Sequence, residues 1–283
     1  MSAPAWDLPT VACPRLSVRA LALFAGQRRL VGHLDVSVEP GQLWAVIGPN
    51  GAGKSTLMSA LAGLRAPGQG EVRLDDRPLA ELARHAPAQL ARQRAYLPQA
   101  VHDTFPMSVR DAVRVGRYPH LSGWGWAGAG DEAIVDALLA ELDVAHLAER
   151  DVMTLSGGER QRVSLAAVLA QQAPLLLLDE PLAHLDLRHQ IVVLELLSRL
   201  ARAGRHAVVL IVHDLNLARR YATHALLMPE GEPCLAGQAS AMLTAANCSR
   251  VLRTPIVSVA EGGHAALIPD GWPAIGDRND ERP

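Results

Sequence analysis

The residues Gly48, Pro49, Asn50, Gly51, Ala52, Gly53, Lys54, Ser55 and Thr56 follow a short apolar run at 43–47 and precede a helical pattern of Leu57, Met58 and Leu61. Glycines at 48, 51 and 53 let such a loop turn its amides inward, and a helix opening near Lys54 adds the positive end of its dipole; the segment is suited to hold phosphate. Lys54 is expected to reach the β- and γ-phosphates of a nucleoside triphosphate, and the Ser55 hydroxyl to ligate Mg²⁺. A second phosphate-ready helix start lies far downstream, in Leu155-Ser156-Gly157-Gly158-Glu159-Arg160-Gln161-Arg162. Ser156 and Glu159 have the spacing of a capping box. Gly157 and Gly158 each lower helix propensity by about 1 kcal/mol, which makes sense where a phosphate or another backbone approaches closely.

Leu175-Leu176-Leu177-Leu178 reads as a buried strand that delivers Asp179 to the metal region, with Glu180 beside it to orient or deprotonate an attacking water. The run 207–212 reads the same way and ends in His213 and Asp214. Gln99 ends the run Arg94-Ala95-Tyr96-Leu97-Pro98, where its amide could contact Mg²⁺ or water at a hinge. A capped helix, a polar strand end or a surface histidine would explain any one of these segments taken alone. The other histidines, including His184 and His189, lack a zinc-ligand spacing and are expected to be solvated.

These groups need a scaffold, and 283 residues with 49% apolar content can supply one from aliphatic side chains, since aromatics are only 4%. With 27 Lys and Arg against 29 acids there is no broad electrostatic footprint for nucleic acid. Cys13, Cys234 and Cys248 form no metal-ligand spacing and read as reduced thiols. No apolar run approaches the roughly 18 residues of a membrane span, and residues 1–14 lack a signal pattern, so work at a membrane would need a spanning partner.

The apolar runs imply buried parallel strands with sites at their carboxyl ends. Between about 100 and 172 the pattern turns helical, over 108–115, 131–142 and 158–171, and predicts an inserted α-helical subdomain. Its stretch 122–130, with Trp124 and Trp126, reads as a loop that either packs in part or docks, and Asp131 as the cap of the next helix. A helix is expected over 190–203 with Ile191, Leu194, Leu197 and Leu200 on one face, and a hairpin around Glu261-Gly262-Gly263 before a charged, frayed tail.

The chain resembles the ATP-binding subunits of ABC transporters over roughly 16–253, with five motifs in family order: Walker A at 48–56, the Q-loop at Gln99, the signature at 155–162, Walker B through Asp179 and the H-loop at His213. The resemblance implies an α/β fold: a P-loop NTPase core with a mostly parallel sheet, an N-terminal antiparallel β region and the helical insert, followed by a C-terminal hairpin and tail at 254–283. It implies an ATPase using ATP and Mg²⁺, with Glu180 as catalytic base, His213 on the γ-phosphate, and a head-to-tail homodimer in which Ser156, Gly157 and Gly158 close on the partner's ATP. By position Asp186 would also lie near that nucleotide, and Phe24 would stack on adenine.

Phe105-Pro106-Met107-Ser108-Val109-Arg110 and Gly116-Arg117-Tyr118-Pro119-His120 look like importers of metal chelates, that is haem, ferric siderophores or cobalamin. That likeness implies an integral membrane permease dimer as partner, a periplasmic substrate-binding protein acting indirectly, no nucleic acid, and a peripheral place on the cytoplasmic face of the inner membrane. A soluble ABC ATPase of DNA repair or chromosome maintenance is the alternative; it would carry long heptad coiled coils, and none is seen. A binding module without turnover would lack the base that Glu180 supplies. Two features depart from the family pattern: Leu182-Ala183-His184-Leu185-Asp186 replaces the usual Thr-Ser-Ala-Leu-Asp, and Trp44, Trp124 and Trp126 have no counterpart.

Overall fold

A computed structural model describes residues 5–99, 105–121, 128–261 and 264–271. The chain enters through a long hairpin, β1 (Leu16–Ala25) and β2 (Arg28–Val38), then passes through β3 (Leu43–Ile47), α1 (Lys54–Leu61), β4 (Gln69–Leu74), β5 (Arg77–Pro78), α2 (Leu79–His85), α3 (Pro87–Gln93) and β6 (Arg94–Leu97). Helices α4 (Val109–Arg114), α5 (Ala129–Glu141) and α6 (Gly157–Ala170) follow, then β7 (Leu175–Leu178), α7 (Leu187–Arg202), β8 (Ala207–Ile211), α8 (Leu215–Tyr221), β9 (His224–Leu227), β10 (Leu235–Gln238) and the hairpin β11 (Ile256–Glu261) and β12 (His264–Pro269).

The central sheet has the order β10-β9-β3-β8-β7-β6, parallel except for β10 at its edge. A separate antiparallel sheet, β2-β1-β4-β5, lies over one face. Side chains alternate across a strand, so the continuous apolar runs serve two cores at once. Leu43, Ala45 and Ile47 of β3, Leu176 and Leu178 of β7, and Val208 and Leu210 of β8 join the helices on one face. Trp44 and Val46, Leu175 and Leu177, and Ala207, Val209 and Ile211 pack toward the antiparallel sheet on the other. Trp44 takes its place by stacking on His224, ring centroids 4.7 Å apart, and by donating from Nε1 to the Gln42 side-chain oxygen at 2.8 Å.

The helical insert appears where the apolar pattern predicts it, and among its described residues there is no strand, only an isolated bridge between Ser108 and Asp151. Element ends shift for local reasons. Helix α1 stops at Leu61 rather than 64, because Gly63 takes a left-handed φ of 72°. Helix α5 starts before Asp131, whose carboxylate accepts the Gly128 N–H at 2.9 Å and so caps from inside the first turn rather than as the N-cap. Helix α7 begins ahead of the expected 190, since Asp186 accepts the His189 N–H at 2.9 Å. The stretch with Trp124 and Trp126, the tip of the C-terminal hairpin and the charged tail lie outside the described residues. The three cysteines are free thiols.

A short N-terminal turn ties insert to core. Gln172 donates from Nε2 to the Trp6 and Leu8 carbonyls at 3.3 and 3.0 Å, while its Oε1 accepts from Arg117, which also bonds Asp131 at 2.8 Å. The same turn buries Asp7 against His206, at 4% exposure each, so the expectation that the remaining histidines are solvated fails here. The imidazole Nδ1 and the carboxyl Oδ1 are 3.9 Å apart with no hydrogen bond between them, and burial pushes the Asp7 carboxyl up and the imidazole down to about 4.

Between about pH 6.5 and 4 the unfolded chain takes a proton that folded His206 refuses, so this residue loses at most about 3 kcal/mol of stability on acidification. Asp7 acts oppositely, since its folded carboxyl holds a proton that the unfolded one has released. Asp7→Asn is therefore expected to steepen the acid-side loss of stability, and His206→Gln to flatten it, in urea midpoints measured at stepped pH. Unchanged slopes in both variants would refute the assignment.

Candidate active site

Every predicted chemical group except the signature segment, Asp186 and Phe24 sits at the carboxyl edge of the central sheet, because β3, β8, β7 and β6 are parallel neighbours in that order. The edge therefore presents the 48–56 loop after β3, His213 after β8, Asp179 and Glu180 after β7, and Gln99 after β6. The loop is shaped by close backbone approach. A Cβ at Gly48 would collide with the Met228 carbonyl just past β9, and one at Gly53, at φ 94°, would lie 2.9 Å from the Leu30 side chain of β2. Neither Leu30 nor Met228 carries a sequence signal, since each acts only by lying against a glycine from another strand.

Within the loop Lys54 is buried, and its Nζ donates to the Gly48 and Pro49 carbonyls at 2.8 and 3.0 Å. Burial pulls its pKa down, against the opposing pull of Glu180 and Asp179. An ammonium held by two carbonyls beside two carboxylates is a desolvated charge that a phosphate would complement. Asp179 is 1% exposed, its backbone N–H donates to Leu97, and its Oδ1 is buried with no hydrogen-bond partner. Burial raises its pKa, the Ser55 hydroxyl hydrogen-bonds the carboxylate and lowers it, and Glu180 raises it again. A carboxylate with an unpaired buried oxygen next to a hydroxyl is the oxygen donor set that suits Mg²⁺, which usually takes only one or two protein carboxylates. No three-residue cluster of His, Cys, Asp or Glu suited to a metal exists among the described residues.

Glu180 points its carboxylate at His213, with Oε1 2.9 Å from Nε2. Its backbone has a φ of 52°, an unfavourable left-handed conformation for a residue that also precedes a proline. Such strain marks a position over-determined by its surroundings.

The signature helix α6 starts as its spacing predicts. The Ser156 N–H donates to the Glu159 carboxylate at 2.8 Å, and the Glu159 N–H to the Ser156 hydroxyl at 3.3 Å. Those bonds hold the Glu159 carboxyl below its ordinary range. The glycines have a reason inside the same chain: a Cβ at Gly158 would sit 2.9 Å from the His184 carbonyl, and one at Gly157 3.3 Å from the His184 Cβ. His184 is exposed at a φ of 62°. No hydrogen bond or ion pair joins Ser156, Gly157 or Gly158 to Lys54 among the described residues.

Asp186 caps α7 and bonds the His189 ring at 2.8 Å, so His189 is an engaged, largely covered residue rather than a solvated one. Gln99 is exposed at the last described residue before 105. Phe24 lies in β1, half-buried against Gly68, in the hairpin whose Leu30 covers Gly53.

A parallel sheet whose carboxyl edge carries a glycine-rich loop, a buried lysine and an acidic strand end defines a P-loop ATP-binding protein. The ABC transporter profile matches residues 31–183. The hemin import ATP-binding protein HmuV of Streptomyces coelicolor is 45% identical over 240 residues, covering 83% of this chain and 82% of its own length. The protein of that name from Myxococcus xanthus is 42% identical, with 90% and 97% covered. The cobalamin import ATP-binding protein BtuD of Halobacterium salinarum is 42% identical over 81% of this chain and 56% of its own. A solved chain of an inward-facing ABC transporter assigned to the metal-chelate type superposes with a TM-score of 0.77 at 29% identity, covering 90% of this chain and 97% of that one. The chain belongs to the ABC transporter family, as an ATP-binding subunit with ATPase activity coupled to transport.

Proposed function

We propose that this subunit hydrolyses ATP to drive import of an iron or cobalt chelate through a separate membrane permease. The observation that carries the hydrolytic part is the meeting of Lys54, Ser55, Asp179, Glu180 and His213 at one sheet edge, with the Asp179 oxygen left unpaired. Residues 48–56 bind the triphosphate through loop amides and Lys54, while Phe24 stacks on the adenine. Asp179 and Ser55, with the Gln99 amide, hold Mg²⁺, which when bound neutralises charge on the β- and γ-phosphate oxygens. Glu180 orients a water and takes its proton as the water oxygen bonds the γ-phosphorus and the bond to the ADP oxygen breaks. His213 leaves Glu180 to contact the γ-phosphate. In a head-to-tail homodimer Ser156, Gly157, Gly158 and Glu159, with Asp186 nearby, complete the partner's site.

The import reading draws on the haem and cobalamin importers above and on the surface of this chain. No helix among the described residues is long and apolar enough to cross a membrane. A groove of about 570 Å³ between core and insert is lined by Leu64, Leu90, Val115, Tyr118 and Gln171, of which Leu64 and Tyr118 are 65% and 66% exposed. An apolar groove of that kind suits a permease segment on the cytoplasmic face of the inner membrane, with the periplasmic binding protein acting through the permease. The longest described helix, α7, has 16 residues, which leaves no room among the described residues for the coiled coil of a DNA-repair ATPase.

Reconstitution of the subunit with its permease in vesicles tests the reading. ATPase activity should rise severalfold when haem, cobalamin or a ferric siderophore is added with its binding protein. Stimulation by DNA instead, or by no chelate with any co-purifying permease, would overturn it.

A further inference from the structure

We propose that Gln161 is a positioning residue for Glu180. The inference rests on the reading of Glu180 as the catalytic base and adds a residue that acts through it. Gln161 lies three residues beyond Gly158 and four beyond Gly157, on the same face of α6. At the two glycines the helix meets His184 with no side chain between. One turn further on, the segment from His184 back to Glu180 brings the Glu180 carbonyl under the Gln161 amide, which donates to it from Nε2 at 3.3 Å.

That carbonyl belongs to a residue held at a φ of 52° ahead of Pro181, and its other partner is the Ala183 N–H at 3.1 Å. A strained peptide relaxes unless several contacts fix it. Here they are the Gln161 amide, the Ala183 turn and the carboxylate's own contact with His213 at 2.9 Å. Without the Gln161 bond the 180–181 peptide can turn, and the carboxylate swings away from the water it must hold. Gln161 touches neither nucleotide nor water in this scheme. It carries the position of the helix start, with Ser156 and Gly157, to the carboxylate of the same chain.

Gln161→Met keeps length and helix propensity but removes the donor. Gln161→Glu keeps shape and replaces the donor by an acceptor. Both are expected to lower kcat about three- to tenfold, the range of one hydrogen bond, with KM for ATP and melting temperature unchanged. A wild-type kcat in both variants would overturn the proposal, as would a fall in kcat accompanied by an equal rise in KM and a lowered melting temperature. Glu180→Gln serves as the control. If it turns over normally, the reading of the base is wrong; if it is inactive while the Gln161 variants behave as wild type, only the positioning role is wrong.

Discussion

Glu180→Gln is expected to lower ATP turnover by about 10²- to 10⁴-fold, the range for loss of a general base, while ATP binding stays intact. The substitution keeps shape and the 2.9 Å contact with His213, because the glutamine oxygen can still accept from an imidazole N–H. It leaves Lys54 and the loop amides, to which the proposal gives the binding, unaltered. What disappears is the group that can take a proton from water. If the proposed head-to-tail dimer forms, ATP is expected to bind, the half-sites to close and the closed dimer to accumulate, because the proposal has hydrolysis release it. Single-turnover phosphate release, a fluorescent-nucleotide titration and gel filtration with ATP give the three readouts. Turnover within tenfold of wild type would show that Glu180 is not the base.

Asp179→Asn should separate function from stability in the opposite sense. Hydrolysis is expected to fall at least about a hundredfold, since loss of metal charge removes several kcal/mol from the transition state, whereas the nucleotide-free protein becomes more stable. The Asp179 carboxyl is 1% exposed, and burial raises its pKa above the ordinary 3.8, so ionisation at neutral pH works against folding. An asparagine removes that charge, and the gain is on the order of 1 kcal/mol. It should be largest above the folded pKa and vanish below 3.8, where the carboxyl is protonated in both states. Thermal melts without nucleotide from pH 8 to pH 4, paired with ATPase assays, check both halves. A lower melting point at neutral pH would mean that the pairing of Asp179 with Lys54 and Ser55 outweighs its burial.

Much of this site was legible because its motifs are local. The glycine spacing around Lys54, the Ser156 and Glu159 cap, and the strand that ends in Asp179 each express a preference of adjacent backbone, and each forms as its spacing predicts. Continuous apolar runs at 43–47, 175–178 and 207–211 marked parallel strands buried on both faces, which in turn placed the chemistry at their carboxyl ends.

Residues whose meaning depends on a distant partner could not be read in the same way. Trp44 is explained by His224, His206 by Asp7, Gly53 by Leu30 and Gly48 by Met228. Gln161 stood inside a recognised motif with no role until Glu180 lay under it. The glycines at 157 and 158 signalled close approach correctly, but what approaches within the chain is His184 rather than a phosphate.

The sequence by itself determined the fold class and the family and pointed to the local chemistry, because backbone propensity, apolar period and phosphate-loop spacing act over a few residues. Tertiary structure alone decided which buried charges stand unpaired, which glycines are obligatory and what holds Glu180 in its strained conformation. Those depend on which strands and helices become neighbours, and loops of very different length can bring the same two residues together.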